Sequence, residues 1–253
     1  MELFDCNCWY GVPKSPPTAG AETPEALLGE MERAGIARAL VRSAAIFEES
    51  PEVGNRLTAE GARGDPRLEP AWGMLPPQTR EVGDVDDFLE AMRQEGVRAL
   101  WAYPEKHRYL LNASVMGELL EEMQSRGIPL FVHRREMPGN LDTYRLAHQV
   151  LADFPQLHLV IVAHGSWGED RLFRPLMQRY PNFMVDTSRY ELDGGIEDLC
   201  RSYGSRRLLF GTNFPETPMG GPILTLLRAR ISDEDRELIA GGNLRRMLEE
   251  VRL

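Results

Sequence analysis

The sequence predicts an α/β chain folded as a single-domain (β/α)8 barrel (a TIM barrel) with a helical extension at its C-terminal end. Three observations predict it. Eight short, β-rich apolar runs alternate with longer helical patterns along the whole chain. Glycine closes a helix immediately before a strand at Gly35-Ile36, Gly96-Val97 and Gly127-Ile128, the αβ turn chemistry of a parallel sheet. The length, 253 residues, suits eight strand–helix units in one domain. A doubly wound open sheet accommodates six strands and leaves two units over. No Gly-rich phosphate fingerprint follows the first strand, and no Pro/Gly/Ser linker divides the chain.

The strands are expected at 2–6, 39–42, 69–74, 98–103, 130–133, 158–164, 182–187 and 207–211. The helix at 24–34 has Thr23 as N-cap and Gly35 as its stop. A weaker helix at 52–62 precedes Gly64, Asp65 and Pro66. Helices at 85–95 and 114–126 end at Gly96 and Gly127; those at 141–154 and 170–180 stop before Pro155 and Pro181. The helix at 195–203 ends at Gly204, and another covers 223–230. The Pro-rich stretch 13–24 reads as a βα loop over the barrel mouth. The tail, 232–253, reads as two short helices joined at Gly241-Gly242-Asn243, with Ser232 as N-cap.

Composition narrows the function. Lys plus Arg is 29 and Asp plus Glu is 39, a net charge of −10, which disfavours nucleic acid or an anionic membrane as partner. Three cysteines give no disulfide framework. The longest near-apolar run, 157–163, contains His158 and is far shorter than a membrane span. The N-terminus lacks a basic region followed by an apolar stretch. These features describe a soluble cytoplasmic protein.

Chemistry in such a barrel sits at the C-terminal ends of the strands. Strand one delivers Asp5-Cys6-Asn7-Cys8-Trp9 there, and strand five His133-Arg134-Arg135. Strand six delivers His164-Gly165-Ser166, strand seven Asp186-Thr187-Ser188, and strand eight Gly211-Thr212-Asn213-Phe214-Pro215. This set resembles the metal-dependent amidohydrolase superfamily, in the amidohydrolase-related branch that includes the aminocarboxymuconate-semialdehyde decarboxylase-like enzymes. The resemblance runs from Phe4 to Gly242-Asn243, with "DTS" after strand seven and "GTNFP" after strand eight as its motifs.

The resemblance implies an Asp-x-His-x-His ligand pair on strand one, one His each from strands five and six, and an Asp on strand eight that serves as ligand and base. His133 and His164 match. Asp5 matches the leading Asp, but Asn7 and Trp9 stand at the two histidine positions and Asn213 at the Asp position. Strand four carries no Lys for a bridging metal. His133 and His164 are therefore the expected ligands of one weakly held divalent metal such as zinc, with a metal-free site as the alternative. A catalytic zinc usually has three protein ligands, an indole cannot ligate, and a carboxamide cannot take a proton. The inherited hydrolytic route is expected to be impaired or replaced.

His133, His164 and Asn213 are the candidate catalytic residues, converging with Asn7 on one cavity. Asn7, Trp9, Trp101, Tyr103, Arg135 and Asp186 are the candidate substrate-binding residues. Strand alternation is expected to place residues 5, 7 and 9 on the axis and Cys6 and Cys8 against the helices. Asp186 either orients a histidine or pairs with Arg189. Among the strand-end arginines Arg42, Arg134, Arg135 and Arg189, Arg135 shares the parity of His133 and is the better candidate for a carboxylate. Trp9, Tyr10, Trp72, Trp101, Tyr103 and Trp167 supply aromatic lining or simply fill the barrel. The expected activity is hydrolysis of a small, carboxylate-bearing substrate. A decarboxylase of the same branch, a metal-free lactonase and a non-catalytic ligand-binding barrel are the alternatives. The tail helices and the resemblance suggest a homodimer.

Overall fold

A computed structural model of the chain describes all residues except 16, 18, 19, 138, 140 and 166–168. Among the described residues nine strands are present: β1 (Leu3–Tyr10), β2 (Ile36–Ser43), β3 (Leu68–Pro70), β4 (Trp72–Gly73), β5 (Leu100–Trp101), β6 (Leu130–His133), β7 (Leu159–Val162), β8 (Phe183–Asp186) and β9 (Leu208–Leu209). They form eight barrel staves, because β3 and β4 are one extended run. Pro70 has no N–H to offer, and the run changes partner at Ala71: Ala71 N donates to Val41 O, then Trp72 N to Ala99 O. Every ladder is parallel, in the orders β1-β2-β3 and β4 through β9. The ring closes where Cys6 N donates to Phe210 O and Trp9 N to Phe214 O. The eightfold barrel predicted from sequence is the fold.

The helices are α1 (Pro24–Ala34), α2 (Ala45–Glu48), α3 (Pro51–Ala62), α4 (Val85–Glu95), α5 (Ala113–Arg126), α6 (Asp142–Asp153), α7 (Asp170–Arg179), α8 (Gly195–Tyr203), α9 (Gly220–Arg228), α10 (Asp233–Glu237) and α11 (Asn243–Glu249). Their ends follow local chemistry. Thr23 caps α1 through Ala26 N, and Gly35, Gly96 and Gly127 close α1, α4 and α5 in the left-handed conformation that favours glycine. A π-type turn, Leu238–Gly242, joins α10 to α11 at the glycine pair expected as the joint.

The core has two layers. Leu27 and Met31 of α1, Phe88 and Met92 of α4 and Leu119 and Met123 of α5 pack outside the strands. Phe4, Leu40, Trp101, Phe131, Val160 and Leu209 fill the interior, where Leu244, Met247 and Leu248 of α11 join them. Gly241 lies against Glu2 O and Phe4, where β1 begins, so the tail seals the end opposite the mouth. Among the described residues no helix is long and apolar enough to cross a membrane.

Candidate functional site

The first strand runs four residues past its expected end, to Tyr10, and is buried throughout. Its register slips against β2: Asp5 sits opposite Ala39, but Cys8 sits opposite Val41. One extra residue on β1 breaks strict alternation. Phe4 and Cys6, two apart, both join the interior cluster, and after the slip Cys8 packs in the outer layer with its thiol 3.9 Å from Leu40 O. The expectation that both cysteines face the helices holds for Cys8 and fails for Cys6. Asp5 ties β1 to the segment after β9, accepting from Asn7 N (2.9 Å), Thr212 N (2.9 Å) and Thr212 Oγ1 (2.5 Å).

Asn7 is the hub of the mouth. Its Nδ2 donates to Asp186 Oδ2 and to Asn213 Oδ1, both at 3.3 Å, and its Oδ1 accepts from Arg42 Nη2 at 3.2 Å. Asn213 adopts a left-handed φ of 58°, which Asn tolerates better than most residues, and its Nδ2 donates to Glu216 Oε2 at 3.4 Å. Asp186 Oδ1 accepts from Ala163 N at 2.8 Å. Burial pushes the Asp186 carboxyl up to about 6 against the bonds from Ala163 and Asn7. Gly211 makes room for this arrangement: a Cβ there would stand 2.5 Å from Asp186 Oδ2 and 3.1 Å from Cys6 Sγ.

Arg42, at the end of β2, is 4% exposed. Its Nε donates to Tyr103 Oη at 2.8 Å and its Nη1 to Cys8 O at 3.2 Å. Its guanidinium lies over the Trp101 ring, 3.7 Å from the centroid. Trp101 stacks on Tyr103 and Phe131, and Phe47 of the unexpected α2 bridges Tyr103 to Trp9. Asn7, Trp9, Trp101, Tyr103, Asp186 and Asn213 thus form one connected cluster, and Arg42 joins its polar and aromatic halves.

Of the two histidines only His133 stands near it. His133 is half-buried at the rim, and its Nδ1 accepts from Arg135 N at 3.1 Å. Burial, and then the positive charge of Arg42, Arg134, Arg135 and Arg189, holds its imidazole neutral down to about 3. His164 departs furthest from expectation. Ala163 takes a left-handed φ of 62°, and the ring after it packs 4.8 Å from Phe173 of α7, in the outer layer. Its Nε2 meets Ile161 O at 2.8 Å, so Nε2 carries the hydrogen and Nδ1 accepts from Tyr144 Oη at 2.7 Å. Both nitrogens are spent on internal partners. Burial pushes this imidazole down to about 3 as well. The expected convergence of two imidazoles with two carboxamides is therefore corrected: the carboxamides meet, and His164 faces the helices.

Arg135 also departs from expectation. It is exposed and meets His133 through its backbone, whereas Arg42 is the arginine inside. Parity on strand five favoured Arg135; the buried register of β2 decided for Arg42. Arg134 pairs with Glu169, whose Oε2 also accepts from Gly165 N at 2.8 Å. Tyr10 donates to Leu57 O and Trp72 packs on Phe88, both away from the mouth. Ser166 and Trp167 lie outside the described residues.

The donor set does not suit a divalent metal. Among the described residues no group of three or more His, Cys, Asp or Glu side chains is placed to hold one. The first expected ligand position carries a carboxamide in contact with a guanidinium, the second an indole, and His164 has no free nitrogen facing the mouth.

A family model described as amidohydrolase matches residues 8–249. No curated protein matches the sequence. Solved structures of similar fold include an uncharacterised TIM-barrel protein from Bordetella bronchiseptica (19% identical, 99% of each chain covered, TM-score 0.76). 5-Carboxyvanillate decarboxylase from Sphingomonas paucimobilis is 15% identical over 99% of each chain, with a TM-score of 0.73. A dihydroxybenzoic acid decarboxylase from Polaromonas, solved with bound manganese and the inhibitor 2-nitroresorcinol, is 16% identical and has a TM-score of 0.70; 100% of this chain and 98% of that one are covered. With the family match spanning nearly the whole sequence, the chain belongs to the amidohydrolase family.

Proposed function

We propose that this barrel decarboxylates a small, flat, carboxylate-bearing substrate at its mouth, with Asp186 delivering the proton to the carbon that loses CO2. The observation that carries the reading is the placement of a buried carboxyl, Asp186, at a strand end inside the Asn7–Asn213 cluster, which Arg42 links to a layer of aromatic rings. In the reaction the C–CO2 bond breaks and its electron pair remains on the substrate carbon. That carbon takes the Asp186 proton, CO2 departs, and water reprotonates the carboxylate. A carboxyl raised to about 6 keeps a usable protonated fraction near neutral pH. The decarboxylases of similar fold support the choice of reaction class.

Hydrolysis, the activity expected first from the sequence, is less well supported. Asn213 cannot accept a proton from water, and His133 and His164 do not share a site. The test is a screen of hydroxybenzoates and related ring carboxylates in D2O, reading released CO2 and deuterium at the vacated carbon. The expected result is ring deuteration coupled to CO2 release, with Asp186→Asn slower by roughly 10²–10⁴-fold. Unchanged turnover in Asp186→Asn, or water uptake into product without CO2, would contradict the reading.

A further inference from the structure

The proton transfer leaves one buried charge without a task. Arg42 is almost fully enclosed, yet its partners are a phenol oxygen, a backbone carbonyl, a carboxamide oxygen and an indole ring, all neutral. Buried charges are ordinarily paired with opposite charge. A guanidinium has five N–H donors, and three are engaged here, leaving one on each terminal nitrogen. A second observation lies directly beneath: Trp101 is buried, and its Nε1 has no partner among the described residues. Asp5 acts on this cation only through space, and spare donors on a cation with no carboxylate in direct contact call for an anionic acceptor; a carboxylate matches the guanidinium fork.

The same guanidinium touches Asn7, at the first of the ligand positions the family resemblance assigns. A fixed positive charge in contact with that position repels a divalent cation there. We propose that Arg42 is the resident cation of this barrel mouth: it takes the metal's place beside Asn7 and receives the substrate's carboxylate. This deepens the decarboxylase reading by naming the group that recognises the acid. It is tested by binding, so failure of the reaction and failure of the cation are separable.

The experiment uses the full chain, benzoate as probe, tryptophan fluorescence as readout, and Mn²⁺ titration in parallel. Wild-type protein is expected to bind benzoate. Arg42→Lys keeps the charge but not the fork and should bind about tenfold more weakly; Arg42→Gln should lose roughly 100-fold. The metal arm uses Asn7→His with Asn213→Asp. With Arg42 present this variant should take up no stoichiometric Mn²⁺, and adding Arg42→Gln should tighten Mn²⁺ binding at least tenfold. That gain is a result a purely structural arginine would not give. Circular dichroism checks folding, and if Arg42→Gln unfolds, Arg42→Lys decides both arms: benzoate tenfold weaker with Mn²⁺ still excluded supports the proposal. Benzoate left unbound by wild type, benzoate bound equally by wild type and the Arg42 variants, or stoichiometric Mn²⁺ uptake with Arg42 in place would each overturn it. Benzoate held through Arg42, with no carboxylate decarboxylated, would remove the reaction and leave the cation.

Discussion

The two sides of the barrel mouth contrast. On the β6–β7 side, His133 and His164 keep the residue type that a family ligand requires, yet His133 lends its Nδ1 to the backbone of Arg135 and His164 spends both nitrogens on Tyr144 and Ile161. On the side built by β1, β2, β8 and β9, the residue types have changed to Asn7 and Asn213, yet the side chains converge with Asp186 and Arg42. Residue type and residue geometry have separated. A site is defined by where the polar atoms point, and here they point together around Asn7, where the donors are carboxamides and a guanidinium.

That contrast can be broken by mutation. The largest effect is expected on the histidine side. His164→Ala removes a buried ring packed on Phe173 and leaves Ile161 O without its side-chain donor, while Tyr144 Oη keeps only Glu169, and should cost about 4 kcal/mol in urea unfolding. Where the protein still folds, benzoate affinity should be unchanged; a tenfold loss would restore His164 to the site. Next is Gly211→Ala, whose Cβ would collide with Asp186 Oδ2. It should cost about 2 kcal/mol and slow any turnover, because the atom that must yield belongs to the proposed acid.

Acid and base titrations sharpen the same comparison, with opposite signs. His164 in the folded chain is held down to about 3. Its contribution is present above the unfolded histidine value near 6.5 and is lost as pH falls toward 3. Asp186 is raised to about 6, so its contribution is present below about 4 and is lost as pH rises through 6. Melting temperature should fall on acidification below pH 6 in wild type, and fall more steeply in Asp186→Asn, which lacks the opposing slope. Parallel pH curves for the two proteins would contradict the assignment. The smallest effect is expected of Arg135→Ala: its side chain is exposed, and stability should move by less than about 0.5 kcal/mol.

Much of the fold was legible because it is written locally. Thr23, Gly35, Gly96 and Gly127 mark helix ends through their own backbone chemistry, and the spacing of apolar runs sets the eight staves. The site was legible in its membership more than in its shape. Asn7, Asp186 and Asn213 were identifiable as strand-end polar residues. The extra residue between Asp5 and Cys8, the left-handed turn at Ala163 and the short helix carrying Phe47 were not. Each depends on packing between distant segments, and alanine in a left-handed turn gives none of the signal that glycine would. Arg42 was visible as a strand-end arginine, but the partners that make it central lie on β1 and after β5, a tertiary fact.

The most direct test of whether this mouth is a metal site or a guanidinium-anchored cluster is the nitrogen NMR spectrum of ¹⁵N-histidine-labelled protein, titrated with Zn²⁺. The account predicts His164 as the neutral Nε2–H tautomer, unmoved by zinc at one equivalent, with His133 likewise unperturbed. Joint displacement of both imidazole signals at a single equivalent of zinc would contradict it.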